Sequence, residues 1–229
     1  MLPRVLVFLS IILFAAGAFG KSAKVGTSTI NFIPPAGYCE FEVGQPGDDR
    51  MLQAIRGMVE PIGNSLLAAA TDCEQLKDWR SGSRKVLSDM TQYQTITSWM
   101  DKDLSQGADT LIKNTCATLR TEGEKIASNM LPEVKARASE VIEGMNVNDM
   151  RFLGVVDESP GLCYAALLQK FRSPSGTDVT QVGVYANLIV KGKVFYFYQF
   201  SPYTGPESVP LVLAKHKNNV AAFIAANKN

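Results

Sequence analysis

The sequence predicts an α+β fold: one antiparallel β-sheet with a C-terminal β-meander, packed by helices that include a helical insert and a C-terminal helix. Three observations predict it. Helical spacing is concentrated between residues 101 and 144, β-rich runs follow from Met150 onward, and a hairpin is written between Gln181 and Phe200. Elements segregated in this way build an antiparallel sheet with helices against it, where regular alternation would build a parallel one.

Taken in order, Thr27 to Ile33 alternates weakly after a polar leader, Pro34-Pro35 interrupts it, and Tyr38 to Val43 resumes. This predicts two short strands around a proline corner. Gly44-Gln-Pro-Gly47 is a turn, after which Asp48 is placed to cap a helix with Met51, Leu52, Ile55, Met58 and Val59 on one face. Pro61 ends it. The apolar run from Asn64 to Thr71 reads as a strand. Asp72-Cys-Glu-Gln75 has the form of a capping box and predicts a helix over 73–81, and the β-branched and aromatic content from Val86 to Trp99 predicts another strand. From Asp101, apolar residues recur at helical spacing through Leu119, and again from Val134 to Ile142 after Pro132. Two helices, 101–129 and 131–144, are expected. Met150 to Val156, Leu162 to Phe171 and Thr180 to Phe200 are strand-like, and Lys191-Gly192 joins the last two strands in a tight turn. Phe195 and Phe197 oppose Tyr196 and Tyr198, so this hairpin is expected at the centre of a sheet covered on both faces. A helix from Pro210 to about Ala226 closes the chain.

The first twenty residues read as a signal peptide. Arg4 supplies the basic end, Val5 to Ala16 is largely apolar, and small residues near Ala18 and Gly20 suit cleavage. The run is short for a spanning helix. The expected arrangement is therefore an exported protein, periplasmic or extracellular, with residues 21–229 as one domain carrying the insert at about 101–144. Loss of Arg4 brings the formal charge from +1 to about zero, and no basic face points to nucleic acid or an anionic membrane. Cys39, Cys73, Cys116 and Cys163 form an even, widely spaced set, expected to be disulfide-bonded outside the cytosol. Three connectivities are open. Sequential pairing closes the shortest loops and is preferred.

The opening Pro35-Ala-Gly-Tyr38-Cys39, the Leu66 to Arg80 segment around Asp72-Cys73, the hairpin and the last helix with Asn227 resemble those of uncharacterised bacterial secreted proteins. The layout is also similar to the Mog1/PsbP-like fold. The first resemblance implies no activity, and a shared layout does not carry function.

Catalytic templates find little support. The single histidine, His216 in Ala-Lys-His-Lys, reads as a solvated helix residue. No nucleophile elbow accompanies it. One histidine is too few for the usual catalytic zinc, and no phosphate-binding loop or calcium loop is written. No cofactor is therefore expected. The pairs Asp48-Asp49, Asp101 with Asp103, and Asp157-Glu158 are read as helix starts and a solvent-facing turn. Asp157 and Glu158 would serve a metal-independent hydrolase only if buried with a raised pKa. Tyr164, Tyr185, Phe195, Tyr196, Phe197, Tyr198 and Tyr203 are candidates to line an apolar pocket, although strand aromatics more commonly fill a core. Trp79 and Arg80 receive no role. The leading expectation is a non-catalytic exported protein that binds a protein partner or a small apolar ligand. The alternatives are the carboxylate hydrolase and a membrane-tethered accessory subunit.

Overall fold

The computed structural model describes residues 20–228, so the predicted signal peptide lies almost wholly outside the described residues. In chain order the elements are β1 (Lys21–Val25), β2 (Ser28–Phe32), β3 (Tyr38–Glu40), α1 (Pro46–Val59), β4 (Asn64–Asp72), α2 (Cys73–Ser81), β5 (Met90–Ile96), α3 (Ala108–Val141), β6 (Asn146–Ser159), β7 (Leu162–Arg172), β8 (Asp178–Val190), β9 (Lys193–Pro202) and α4 (Ser208–Ala226). β3 to β9 form one antiparallel sheet in the order β3-β4-β5-β9-β8-β7-β6. The α+β class and the C-terminal meander are as expected. β9 is the central strand. Its turn from β8 is formed by Lys191 and Gly192, with φ of 49° and 74°, the left-handed pair that matches the strand twist.

Residues alternate across β9. Phe195 and Phe197 pack with Phe32, Tyr93 and Phe223 under α4 and the β1-β2 hairpin. Tyr198 and Phe200 face the other layer, made by α1 and α3. Asn227 fastens the first layer. Its amide accepts from the Asn31 backbone at 2.8 Å and donates back to the Asn31 carbonyl at 2.9 Å, as a neighbouring strand would.

Several expectations need correction. The polar leader, to which the sequence assigned no element, forms β1 and pairs with β2, putting Val25 into the core while its lysines face outward. The strand expected from Val86 begins only at Met90 and passes into a 3₁₀ turn at Thr97–Trp99. Asp101 starts no helix. Residues 101–107 fold back over the hairpin tip, where the Leu104 amide donates to the Gly192 carbonyl at 2.8 Å, and Gly107 caps α3. α3 is one helix, with Pro132 inside it. The proline forfeits one backbone hydrogen bond, but its ring is solvent-exposed, and buried Ala127 and Ala138 anchor the helix on either side.

The capping residue of α2 is as read. Asp72 accepts from the Gln75 amide at 3.0 Å, although Gln75 turns its own carbonyl to the Ser88 amide at 3.0 Å. Asp48 does not cap α1. It sits in the first turn, fully buried, accepting from the Glu42 amide at 2.9 Å and from Arg80 Nη2 at 2.6 Å. Trp79 Nε1 donates to the Gly47 carbonyl at 3.1 Å. The Trp79-Arg80 pair therefore pins α2 to α1. Arg80→Ala strands a buried carboxylate, and because the guanidinium is itself 33% exposed the expected loss is about 2 kcal/mol, below that of a fully buried pair. A lowered urea midpoint with an unchanged slope is the readout.

Cys39 bonds to Cys73, joining β3 to the start of α2, and Cys116 bonds to Cys163, joining α3 to β7. This is the sequential pairing.

Candidate functional site

On the α1 and α3 side, the layers do not close completely. A cavity of about 240 Å³ remains between them. Its floor is the sheet, with Met90, Gln92, Gln94, Leu167, Gln169, Gln181, Tyr198 and Phe200 pointing up from β5, β7, β8 and β9, and Met150 from β6. Its roof is α1, through Met51, Ile55 and Met58, and the later half of α3, through Met130 and Val134. The roof helices touch closely: a Cβ on Gly57 would lie 2.5 Å from Val141 Cγ2. A larger residue there would wedge them apart.

Six of the chain's eight methionines line this one space. Thioether side chains are unbranched and polarisable, and they adapt to irregular or exchangeable partners better than branched residues do. The polar groups in the lining are mostly amides. Gln181 Nε2 donates to the Ser88 carbonyl at 3.1 Å and Gln94 Nε2 to Gln92 Oε1 at 2.8 Å. The Nε2 groups of Gln92 and Gln169 donate only to thioether sulfurs, at 4.0 and 3.9 Å. Sulfur is a weak acceptor, so each of these two amides keeps donor capacity for a carbonyl or hydroxyl. Burial raises the Tyr198 phenol well above its ordinary pKa, assisted by neighbouring Tyr185 and Tyr196. It is a neutral donor.

Of the aromatic candidates, only Tyr198 lines the cavity. Tyr185 stacks on it at 5.0 Å. Tyr164, Phe195 and Phe197 belong to the opposite core, and Tyr203 packs beneath α4. The methionines were the missed residues. Their signal was faint: Met51 and Met58 fall on the apolar face of one predicted helix, but the other four are dispersed over 61 positions' worth of chain, from Met90 to Met150.

His216 is the largest correction. It is not solvated but fully buried, its ring edge-on to Phe197 at 4.7 Å and to Tyr164 at 6.0 Å. Neither ring nitrogen has a well-formed hydrogen bond. Burial lowers its pKa to about 3, and the adjacent Phe197 backbone offsets only a little of this. With no carboxylate bonded to it, the ring has neither the orientation nor the basicity a catalytic base needs.

The carboxylates are also dispersed. Asp157 and Glu158 end β6 rather than forming a turn, and they diverge: Asp157 bonds Lys217 of α4, Glu158 bonds Arg120 of α3. The Lys217 bond holds Asp157 below the usual carboxylate range, opposite to what a general acid requires. Asp49 accepts from the Gly44 amide, and Asp103 from Ser105, whose hydroxyl and amide lower its pKa. A second polar cluster joins Tyr38, Asp89, Gln199 and Lys215. Gln199 Nε2 donates to the Tyr38 oxygen at 2.7 Å, and Lys215 Nζ donates to it at 2.8 Å. Burial first and Asp89 second raise the Tyr38 phenol, so it stays neutral and ties β3 to β9 and α4. Among the described residues, no group of three His, Cys, Asp or Glu side chains is placed to hold a metal ion, and no helix is long and apolar enough to cross a membrane.

No family model matches the chain, and no curated protein or solved structure is significantly similar to it.

Proposed function

We propose that this is an exported, non-catalytic binding protein whose ligand is a small apolar molecule held between the sheet and the α1-α3 roof. The observation that carries the reading is the methionine-lined cavity of about 240 Å³. Ligand sites are concave and mostly apolar, with a few convergent polar groups, and this cavity has both attributes. An interior is normally packed to crystal-like density, so a space of this size has a cost in stability that an occupant offsets. Two disulfides suit an oxidising compartment, and the leader at residues 1–20 supplies the route to it.

The test is fluorescence titration of the disulfide-bonded protein with N-phenyl-1-naphthylamine, a neutral apolar dye. Saturable one-to-one binding is expected. Leu167→Trp, which fills the floor, and Val134→Trp, which fills the roof, are each expected to weaken it at least about tenfold, the effect of roughly 1.4 kcal/mol. Circular dichroism identifies any variant that has failed to fold. Absence of dye binding to the parent protein, or equal binding by two folded tryptophan variants, overturns the reading.

A further inference from the structure

We propose that the ligand is a single-chain amphiphile with a carboxylate head, a fatty acid, lying with its chain across the sheet and its head at Lys85. This rests on the apolar-ligand reading and assigns it a chemical class. The first ground is shape. Met90 on β5 and Met150 on β6 both line the cavity, and three strands, β9, β8 and β7, lie between theirs. At about 4.8 Å per strand spacing the lining extends roughly 19 Å. An elongated space of small volume suits a flexible chain better than a fused ring system.

The second ground is charge. Lys85 is the one charged residue in the cavity lining, and it is exposed at the rim. There the cavity adjoins a polar depression formed by Asp78, Ser83, Arg84, Ser175 and Thr177, which shares Lys85 with it. Arg84 stands 3.9 Å from Asp78 and the two largely balance. Lys85 makes no ion pair among the described residues, so the rim carries one net positive charge. A monoanion answers this charge: one oxygen meets the Lys85 ammonium, and the rim hydroxyls of Ser83, Ser175 and Thr177 are placed to meet the other. The chain then runs inward over the methionines. A single negative charge on the head group matches this one cation.

Competition against bound N-phenyl-1-naphthylamine separates this inference from the reading beneath it. Myristate and methyl myristate present the same chain with and without the charge. The parent protein is expected to bind myristate about tenfold more tightly than the ester, a preference that shrinks with added salt as exposed charges are screened. Lys85→Glu, at an exposed position, is expected to abolish the preference of acid over ester, both competed against the dye in the same variant. If the dye binds but acid and ester compete equally, or if Lys85→Glu preserves the preference, the head-group assignment is overturned and the apolar cavity stands. If the dye does not bind, both fall.

Discussion

Replacing His216 with Leu is expected to remove most of the protein's loss of stability on mild acidification. The ring is neutral and fully buried, with a folded-state pKa of about 3 against 6.5 for the free side chain. Between those values the unfolded chain binds a proton that the folded chain refuses, so stability is complete above pH 6.5 and declines as the pH falls toward 3. The full difference is on the order of 4 to 5 kcal/mol, and between pH 7 and pH 4 the expected loss is about 3 kcal/mol. Asp103, Asp157 and Asp178 have lowered values, so their contributions vanish only below the ordinary aspartate range. Glu40 acts in the opposite sense, because burial raises its carboxyl, and it partly offsets the histidine as the pH falls. Urea unfolding at a series of pH values reads the effect directly. His216→Leu should flatten the limb between pH 7 and 4 and, by removing two unpartnered nitrogens, gain about 1 kcal/mol at neutral pH. An equally steep limb in the variant would mean the histidine is hydrated or bonded.

The second large effect is expected from the Cys116–Cys163 bond. It closes a separation of 47 residues, and in the chain-entropy model its loss destabilises by about 4 kcal/mol. The Cys116→Ala/Cys163→Ala double variant avoids leaving a reactive thiol. Its thermal midpoint should fall by a margin consistent with that loss. The bond joins α3 to β7, and the later half of α3 is part of the cavity roof, so weakened dye binding should accompany the loss. The separation of 34 residues closed by Cys39–Cys73 predicts a similar change in stability, but that bond lies at β3 and α2. Of α2 only Trp79 reaches the cavity, so removal of that bond should weaken dye binding less than removal of Cys116–Cys163. A double variant at 116 and 163 that stays within about 1 kcal/mol of the parent would show that sheet packing alone holds the helix.

Where the chemistry is local, the residues themselves were enough to read the structure. The two-residue turn at Lys191-Gly192, the Asp72 cap and the helix after it, the strand at 64–72 and the meander from β6 to β9 each depend on φ preferences, caps or periodicity within a short window. The α+β class follows from the order of such units, while cysteine spacing left three connectivities open and only favoured the sequential pairing that is found. Burial and convergence are not local. His216 has lysines on both sides in the chain, yet α4 turns that one ring onto Phe197 because the helix lies along the central strands. Asp48 reads as a cap until α2 brings Arg80 against it. Pro132 reads as a stop, but a helix held to the sheet before and after it continues through. The methionines of the cavity lie on α1, β5, α3 and β6 and in the connection before β6, and only the strand order β5-β9-β8-β7-β6, with its alternation of faces, collects them over one floor. Short-range conformational preference determined the elements. Long-range strand pairing, which decides the face each residue presents and what covers it, determined the site.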